Sequence, residues 1–145
     1  GDLDYIHSVE RISKFSNVIS INGGVQLDLM GQENAESTGT RQLSGVGGQM
    51  DFLEGAYRSK GGKGFICINS SRVTKDGERK SNILATIPGG STISAPRTMI
   101  QYVATEYGIA SLSGKTLRER AEAMAAIAHP DFREELMKYA QENFK

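Results

Sequence analysis

A glycine-rich stretch that leads directly into a helix-forming segment is the part of this sequence best suited to chemistry. Residues 44–52 have the sequence SGVGGQMDF. Free backbone N–H groups at such a helix start can hold an anion, or an oxygen that becomes negative during a reaction. A tight turn without a ligand explains the same pattern equally well. The stretch is not a dinucleotide-binding fingerprint, which would require glycine where Met50 stands.

A second glycine cluster follows at residues 59–64, SKGGKG. It is not a Walker A loop, because Gly64 follows Lys63 where that motif requires Ser or Thr. Lys60 and Lys63 could still contact phosphate groups as point charges. A solvated turn is the alternative, and we favour it for Lys60.

Glu106 is the third candidate, because it follows the apolar segment 101–105 at the end of a predicted strand. Burial there would raise the pKa of its carboxyl group and suit it to act as a base or nucleophile. Structural carboxylates are more common, so a helix cap or an ion pair with Arg97 or Arg118 is the favoured interpretation. His129, at a junction between two predicted helices, is expected to be a hydrogen-bonded structural residue.

Composition and charge exclude several classes of function. Lys plus Arg and Asp plus Glu both number 17, so the formal net charge is zero, whereas nucleic-acid-binding and membrane-surface proteins carry a basic excess. No apolar run approaches the roughly 20 residues that span a bilayer. The single cysteine, Cys67, predicts a reducing, cytoplasmic location and a buried structural role. The two histidines and this cysteine lie far apart, so no metal site is expected.

The elements that must position these groups begin with a short amphipathic helix over the first 15 residues. Residues 17–22 and 25–30 are β-rich and are separated by two glycines, which predicts a hairpin. Residues 31–46 are polar and predict a long loop. Helical spacing of apolar residues predicts the next helix over 47–59.

The continuous apolar run 65–68 predicts a buried strand in the second half, and QYVAT at 101–105 predicts another. Residues 70–80 predict a charged surface turn, and 82–87 and 91–94 are further candidate strands.

Helix signals are clearest in the last third of the chain. Thr116 and Glu119 have the spacing of a capping box, and Pro130 suits the first position of a final helix. Because strands and helices interleave, we predict an α/β fold with a mixed or mostly parallel sheet flanked by helices. The length predicts a single domain over residues 1–145.

Residues 47–66, GGQMDFLEGAYRSKGGKGFI, resemble the signature of the butyryl-CoA:acetate and 4-hydroxybutyrate CoA-transferases. These enzymes belong to the wider acetyl-CoA hydrolase/transferase family, and every fixed position of their signature, G-G-Q-x-D-F-x-x-G-A-x-x-S-x-G-G-K-x-F-I, is matched. The resemblance covers nearly the whole chain, because flanking segments agree at 39–42, 102–108, 117–121 and 128–133.

The resemblance implies the C-terminal domain of a two-domain CoA-transferase, with the active site between two similar α/β halves. In such enzymes a glutamate attacks the acyl-CoA thioester, and the reaction passes through an acyl-glutamyl anhydride and a glutamyl-CoA thioester. That glutamate is expected in an upstream half which this chain lacks. The fragment alone is therefore expected to be inactive, with Glu106 as a counterpart of that residue rather than the nucleophile.

The resemblance also implies roles for the glycine turn. The N–H groups of Gly47 and Gly48 would form the oxyanion loop that faces the thioester oxygen. The expected contacts to coenzyme A are Gly45, Val46, Gln49, Asp51, Phe52 and Lys63.

The expected partners follow from the same resemblance. They are a short-chain acyl-CoA, a carboxylate such as acetate and the upstream half of the same protein, which is expected to form a homo-oligomer when full length. No metal, nucleic acid or membrane partner is expected. Two other functions remain open: a thioesterase in which Glu106 activates water, and a non-catalytic CoA-binding domain.

Overall fold

The computed structural model describes residues 2–144, which form five helices and eleven strands. The final helix is the longest, and most strands are short. The elements are α1 (Leu3–Ile6), α2 (Val9–Ser13), β1 (Ile19–Gly23), β2 (Gln26–Asp28), β3 (Glu33–Asn34), β4 (Ser37–Thr38), β5 (Arg41–Gln42), α3 (Gln49–Arg58), β6 (Lys63–Cys67), β7 (Ser71–Val73), β8 (Arg79–Ser81), β9 (Ile83–Leu84), β10 (Tyr102–Thr105), β11 (Gly108–Ser111), α4 (Leu117–Ala126) and α5 (Pro130–Asn143).

The main sheet has four strands in the spatial order β1-β6-β10-β11. The first three strands run parallel, and β11 returns antiparallel to β10. α3 packs on β6 and β1, α4 packs on β11, and α5 packs on α4. This mixed sheet with flanking helices confirms the predicted α/β class, including the strands at 65–68 and 101–105 and the helix over 47–59.

The predicted hairpin between residues 17–22 and 25–30 is wrong. β1 pairs with β6 in the main sheet, whereas β2 belongs to a second sheet in the order β3-β2-β9. The chain changes sheets at Gly24, where an added Cβ would lie 2.7 Å from Oε1 of Glu33. Glycine is therefore required there for the close approach of the two sheets, not for a tight turn.

The loop predicted over residues 31–46 is instead an ordered polar segment that contains β3, β4 and β5. Its buried side chains satisfy its own backbone: Oδ1 of Asn34 accepts hydrogen bonds from the N–H groups of Glu36 and Ser37 at 3.1 and 2.9 Å. The hydroxyl of Ser37 accepts one from the N–H of Thr92 at 3.0 Å. Side-chain acceptors thus replace the long ladders that an extended sheet would provide.

Three smaller expectations also change. The first predicted helix is two helices, because the side chain of Ser8 caps the start of α2. The surface turn at 70–80 is a hairpin of β7 and β8. Of the two candidate strands at 82–87 and 91–94, only the first contains a strand, β9, and none forms over 91–94. Ala95, just after the second segment, makes an isolated bridge to Glu33.

The two C-terminal helices begin as their sequence predicts. Thr116 and Glu119 form both hydrogen bonds of the capping box of α4, and α5 begins with Pro130 after His129. None of the helices within residues 2–144 has both the length and the apolar character to cross a membrane.

Candidate functional site

The glycine turn lies at the carboxyl edge of the three parallel strands. α3 packs on β6 and ends shortly before that strand begins, so the helix runs antiparallel to the strand and starts near its carboxyl end. One contact agrees with this placement: Gln49, the first residue of α3, donates a hydrogen bond to Glu33, whose other carboxylate oxygen lies against Gly24, just beyond β1. Open α/β sheets bind ligands at this edge.

Backbone donors without an acceptor among residues 2–144 lie where the turn meets the helix. Gly47 has a φ of 60°, a left-handed conformation that favours glycine. Gly48 is the N-cap residue of α3 and provides no side chain to cap the helix. Within residues 2–144, the N–H groups of Gly47 and Gly48 donate to no acceptor. These donors, together with the positive end of the helix dipole, can stabilise a carbonyl oxygen that gains negative charge.

His7 lies against the glycine turn, and the sequence provided no reason to single it out. Its imidazole ring packs directly on Gly48, since a Cβ added there would lie 2.7 Å from Nδ1. Nδ1 is 3.5 Å from the carboxylate of Asp51, and the ring meets Phe52 edge-on with 5.3 Å between centroids. The segment that connects α1 and α2 therefore covers the first turn of α3.

Glu33 is a second residue that sequence reasoning missed. Its side chain is fully buried, accepts a hydrogen bond from Gln49 and has Oε1 without a partner among the described residues. Burial raises the pKa of this carboxyl group to about 7, and the hydrogen bond from Gln49 opposes that shift. Because Glu33 lies in a polar stretch, only the second sheet packed around it could reveal its burial.

Glu36 anchors the segment that leads into the turn. Its carbonyl oxygen accepts hydrogen bonds from the N–H groups of Leu43 at 2.6 Å and Ser44 at 3.2 Å. Its carboxylate accepts one from the hydroxyl of Ser94 at 2.6 Å. The exposed turn is thus attached to a buried polar framework on its upstream side.

Glu106 lies at the same edge of the sheet, in the connection from β10 to β11, but its environment differs from the one predicted. It is exposed, and it accepts hydrogen bonds from the N–H and the hydroxyl of Ser70 at 2.9 and 2.6 Å. Desolvation by the neighbouring protein atoms acts to raise the pKa of Glu106, but the hydrogen bonds from Ser70 outweigh it and leave the pKa below its ordinary value. The expected raised pKa is therefore wrong. Arg118 pairs with Glu122 instead.

The remaining predicted contacts divide between two edges of the sheet. Gly45 and Val46 are exposed in the turn, and Asp51 and Phe52 are in the first turn of α3 beside His7. Lys63 lies at the amino end of β6, the edge opposite the glycine turn. The structure therefore brings these residues together with Gly47, Gly48 and Gln49, with Lys63 as the exception.

Two other candidates, His129 and Cys67, lie at the ends of secondary-structure elements. His129 caps α5 by accepting a hydrogen bond from the N–H of Asp131 at 3.3 Å, as the sequence predicted. Cys67 is half-buried in β6, and not fully buried as expected. In the described part of the chain, no three His, Cys, Asp or Glu side chains are grouped so that they could hold a metal ion.

Comparison with known proteins identifies the family of this chain. A family model described as the acetyl-CoA hydrolase/transferase C-terminal domain matches residues 1–140. The chain belongs to this family. Its sequence is 47% identical over 139 residues to that of the butyryl-CoA:acetate CoA-transferase of Anaerostipes caccae, a match that covers 96% of the chain. It is 48% identical over 142 residues to the 4-hydroxybutyrate coenzyme A transferase of Clostridium kluyveri, with 98% of the chain covered.

A solved structure agrees with the sequence relatives. The 4-hydroxybutyrate CoA-transferase of Porphyromonas gingivalis superimposes with a TM-score of 0.76 at 41% identity. The match covers 97% of this chain and 30% of the Porphyromonas gingivalis protein. The chain likewise spans 31% and 32% of the length of the two curated relatives. It therefore corresponds to about a third of such enzymes.

Proposed function

We propose that the full-length protein containing this chain transfers coenzyme A between a short-chain acyl-CoA, butyryl or 4-hydroxybutyryl, and a carboxylate such as acetate. The observation that carries this proposal is the pair of N–H groups at Gly47 and Gly48, which donate to no acceptor within residues 2–144. They lie at the carboxyl edge of the parallel strands, within the stretch that resembles the transferase signature. The activities for which the relatives are named support the same substrate class.

The proposed reaction is covalent and requires a glutamate outside this chain. Its carboxylate oxygen attacks the thioester carbonyl carbon, and the CoA thiolate leaves as an acyl-glutamyl anhydride forms. The thiolate then attacks the glutamyl carbonyl, which gives a glutamyl-CoA thioester and releases the first carboxylate. The acceptor carboxylate reverses these two steps. This divides one difficult exchange into several easier ones.

The glycine turn would act on the tetrahedral intermediates of these steps. Each attack places negative charge on a carbonyl oxygen, and the N–H groups of Gly47 and Gly48 would donate hydrogen bonds to that oxygen. The loss of one such donor typically raises the barrier by about 2.7–4 kcal/mol. We propose that Gly45, Val46, Gln49, Asp51 and Phe52 shape the adjoining CoA site.

Exchange of CoA between butyryl-CoA and acetate tests the proposal. The rate is measured for the full-length product of the native gene and for residues 1–145 alone. We expect exchange only in the longer protein, because its nucleophile lies outside this chain. Exchange by residues 1–145 that disappears in Glu106→Ala would overturn this assignment and make Glu106 the catalytic carboxylate.

Acyl-CoA hydrolysis is the second candidate, since the description of the matched family includes hydrolases. The two activities differ in the acceptor. A hydrolase releases CoA from butyryl-CoA at the same rate with and without acetate, whereas a transferase requires the carboxylate. The free-thiol assay without acetate therefore separates them, with Glu106→Gln as the variant that tests whether that carboxylate activates water.

A further inference from the structure

One face of the main sheet is apolar and exposed. Ile21, Phe65 and Tyr102 are paired in register across β1, β6 and β10, so their side chains lie in one row on the same face. The rings of Phe65 and Tyr102 stack with 4.9 Å between centroids. Ile21 is 68% exposed, and Ile109 on β11, which belongs to the same face, is 63% exposed. We call this surface the open face.

On the opposite face of the same strands, the apolar side chains are buried. Ile66 and Val103 are 0% exposed and Ala110 is 3% exposed. Leu53 of α3 packs against Gly64 on this side, and α4 covers β11. The helices that pack on the sheet within residues 2–144 therefore lie on one side only.

Such a one-sided arrangement is unusual for parallel strands. Sheets built from parallel strands are normally covered on both faces, and contiguous exposed apolar patches of this kind mark interaction surfaces. β1 is in addition an edge strand, with β6 on one side and no strand on the other in the described part of the chain. The backbone N–H and C=O groups on its outer side can pair with a further strand.

We propose that the open face is the docking surface for the remainder of the full-length polypeptide, which covers Ile21, Phe65, Tyr102 and Ile109 with an apolar layer. The length of the relatives argues for this occupant, because this chain spans only 31% of the butyryl-CoA:acetate enzyme. A segment of the same polypeptide also has a high effective concentration at this surface. The inference rests on the proposed function in one respect, since both require a longer native protein.

Cys67 provides a native probe of this surface. It alternates with buried Ile66, so it lies on the same face as Phe65, and it is the only cysteine of the chain. Labelling with a maleimide, followed by peptide mass spectrometry, measures its accessibility in residues 1–145 and in the full-length protein. We expect labelling of Cys67 to be at least about tenfold slower in the native full-length protein and to recover in denaturant.

Equal labelling rates in the two proteins would overturn the proposal. Protection of Cys67 in residues 1–145 alone that increases with protein concentration would also overturn it, because a second copy would then cover the open face. The labelling needs no substrate. Protection without CoA exchange would thus leave the docking surface standing while the proposed function fails.

A matched pair of substitutions tests the same surface in the full-length protein. Ile21→Lys places a charge on the open face, and Val73→Lys places one on the β7–β8 hairpin, where Val73 is 57% exposed. We expect Ile21→Lys to lower Tm and to speed labelling of Cys67, and Val73→Lys to change neither. Equal effects of Ile21→Lys and Val73→Lys on Tm and on labelling would contradict the proposal. If Ile21→Lys does not fold, the comparison of Cys67 labelling in the unsubstituted proteins tests the proposal instead.

Discussion

The helix that follows the glycine turn and the two C-terminal helices differ in how the N–H groups of their first turns are treated. At the start of α4, the N–H of Thr116 donates to the carboxylate of Glu119 at 2.8 Å, and the hydroxyl of Thr116 accepts from the N–H of Glu119 at 3.3 Å. α5 begins with a cap from His129 and with Pro130, which has no N–H to satisfy. α3 begins at Gly48 with no side-chain cap.

This difference means that the capped helix ends contribute to stability, whereas the uncapped end is available to bind a ligand. A capped helix end contributes about 1 kcal/mol to folding, and its donors are then unavailable to a ligand. An uncapped end forgoes that stabilisation and keeps its donors free to bind an oxygen that becomes negative. We therefore expect substitutions in the glycine turn to change catalysis and those in the C-terminal helices to change stability.

The largest effect is expected for Gly47→Ala in the full-length protein. Because φ at Gly47 is 60°, a side chain would displace the backbone and its N–H group, and kcat for CoA exchange should fall about 100- to 1,000-fold. Gly39→Ala is the matched control, since Gly39 has a φ of 56° and, like Gly47, open space around an added Cβ. Both variants should lose similar stability, about 1–2 kcal/mol, and equal falls in kcat would contradict the role of the turn.

Glu33→Gln should remove a loss of about 3 kcal/mol in the free energy of unfolding that the unsubstituted protein shows between pH 4.5 and pH 8. The pKa of Glu33 is about 7 in the folded protein against an ordinary value of 4.5. Between these pH values the folded protein holds a proton that the unfolded chain has lost, so stability falls as pH rises and levels off above about pH 7.

Urea denaturation from pH 4.5 to 8 measures this effect. Glu33→Gln should match the unsubstituted protein near pH 4.5 and exceed its stability at pH 8. The control is Glu142→Gln, at an exposed carboxylate on α5. If Glu33→Gln is less stable than the unsubstituted protein at pH 8, the buried carboxylate is stabilising when charged and the expected sign is wrong.

Thr116→Ala should lower the free energy of unfolding by about 1 kcal/mol, because the hydroxyl that accepts from the N–H of Glu119 and donates to its carboxylate is lost, while the backbone N–H of residue 116 remains. CoA exchange by the folded protein should be unchanged. Ser113→Ala, at an exposed residue in the loop between β11 and α4, is the control. A marked loss of kcat in Thr116→Ala would remove the distinction between the two regions.

The smallest expected effect tests how far the functional region extends. If Lys63 contacts a phosphate of CoA from the amino edge, Lys63→Ala should raise KM for butyryl-CoA up to about fivefold, since exposed charge pairs contribute at most about 1 kcal/mol. Lys60→Ala, at an exposed neighbour, should leave KM unchanged. Unchanged KM in both variants would confine the CoA site to the carboxyl edge.

Local signals in the sequence determined much of this protein. The capping box at Thr116, the proline at the start of α5 and the apolar runs of β6 and β10 were all predictable, because each depends on residues within one or two turns or on continuous burial. The signature around Gly47 and Gly48 also identified the family without any tertiary information.

The tertiary structure decided where distant segments meet. The local turn chemistry after β1 predicts a hairpin, yet the partner of β1 is β6, with Ile19 opposite Lys63. His7 and Glu33 are ordinary residues in the sequence and become part of the candidate site only through contacts with Gly48 and Gln49. Burial and pairing of this kind depend on which surfaces pack together, and short-range sequence patterns do not encode that choice.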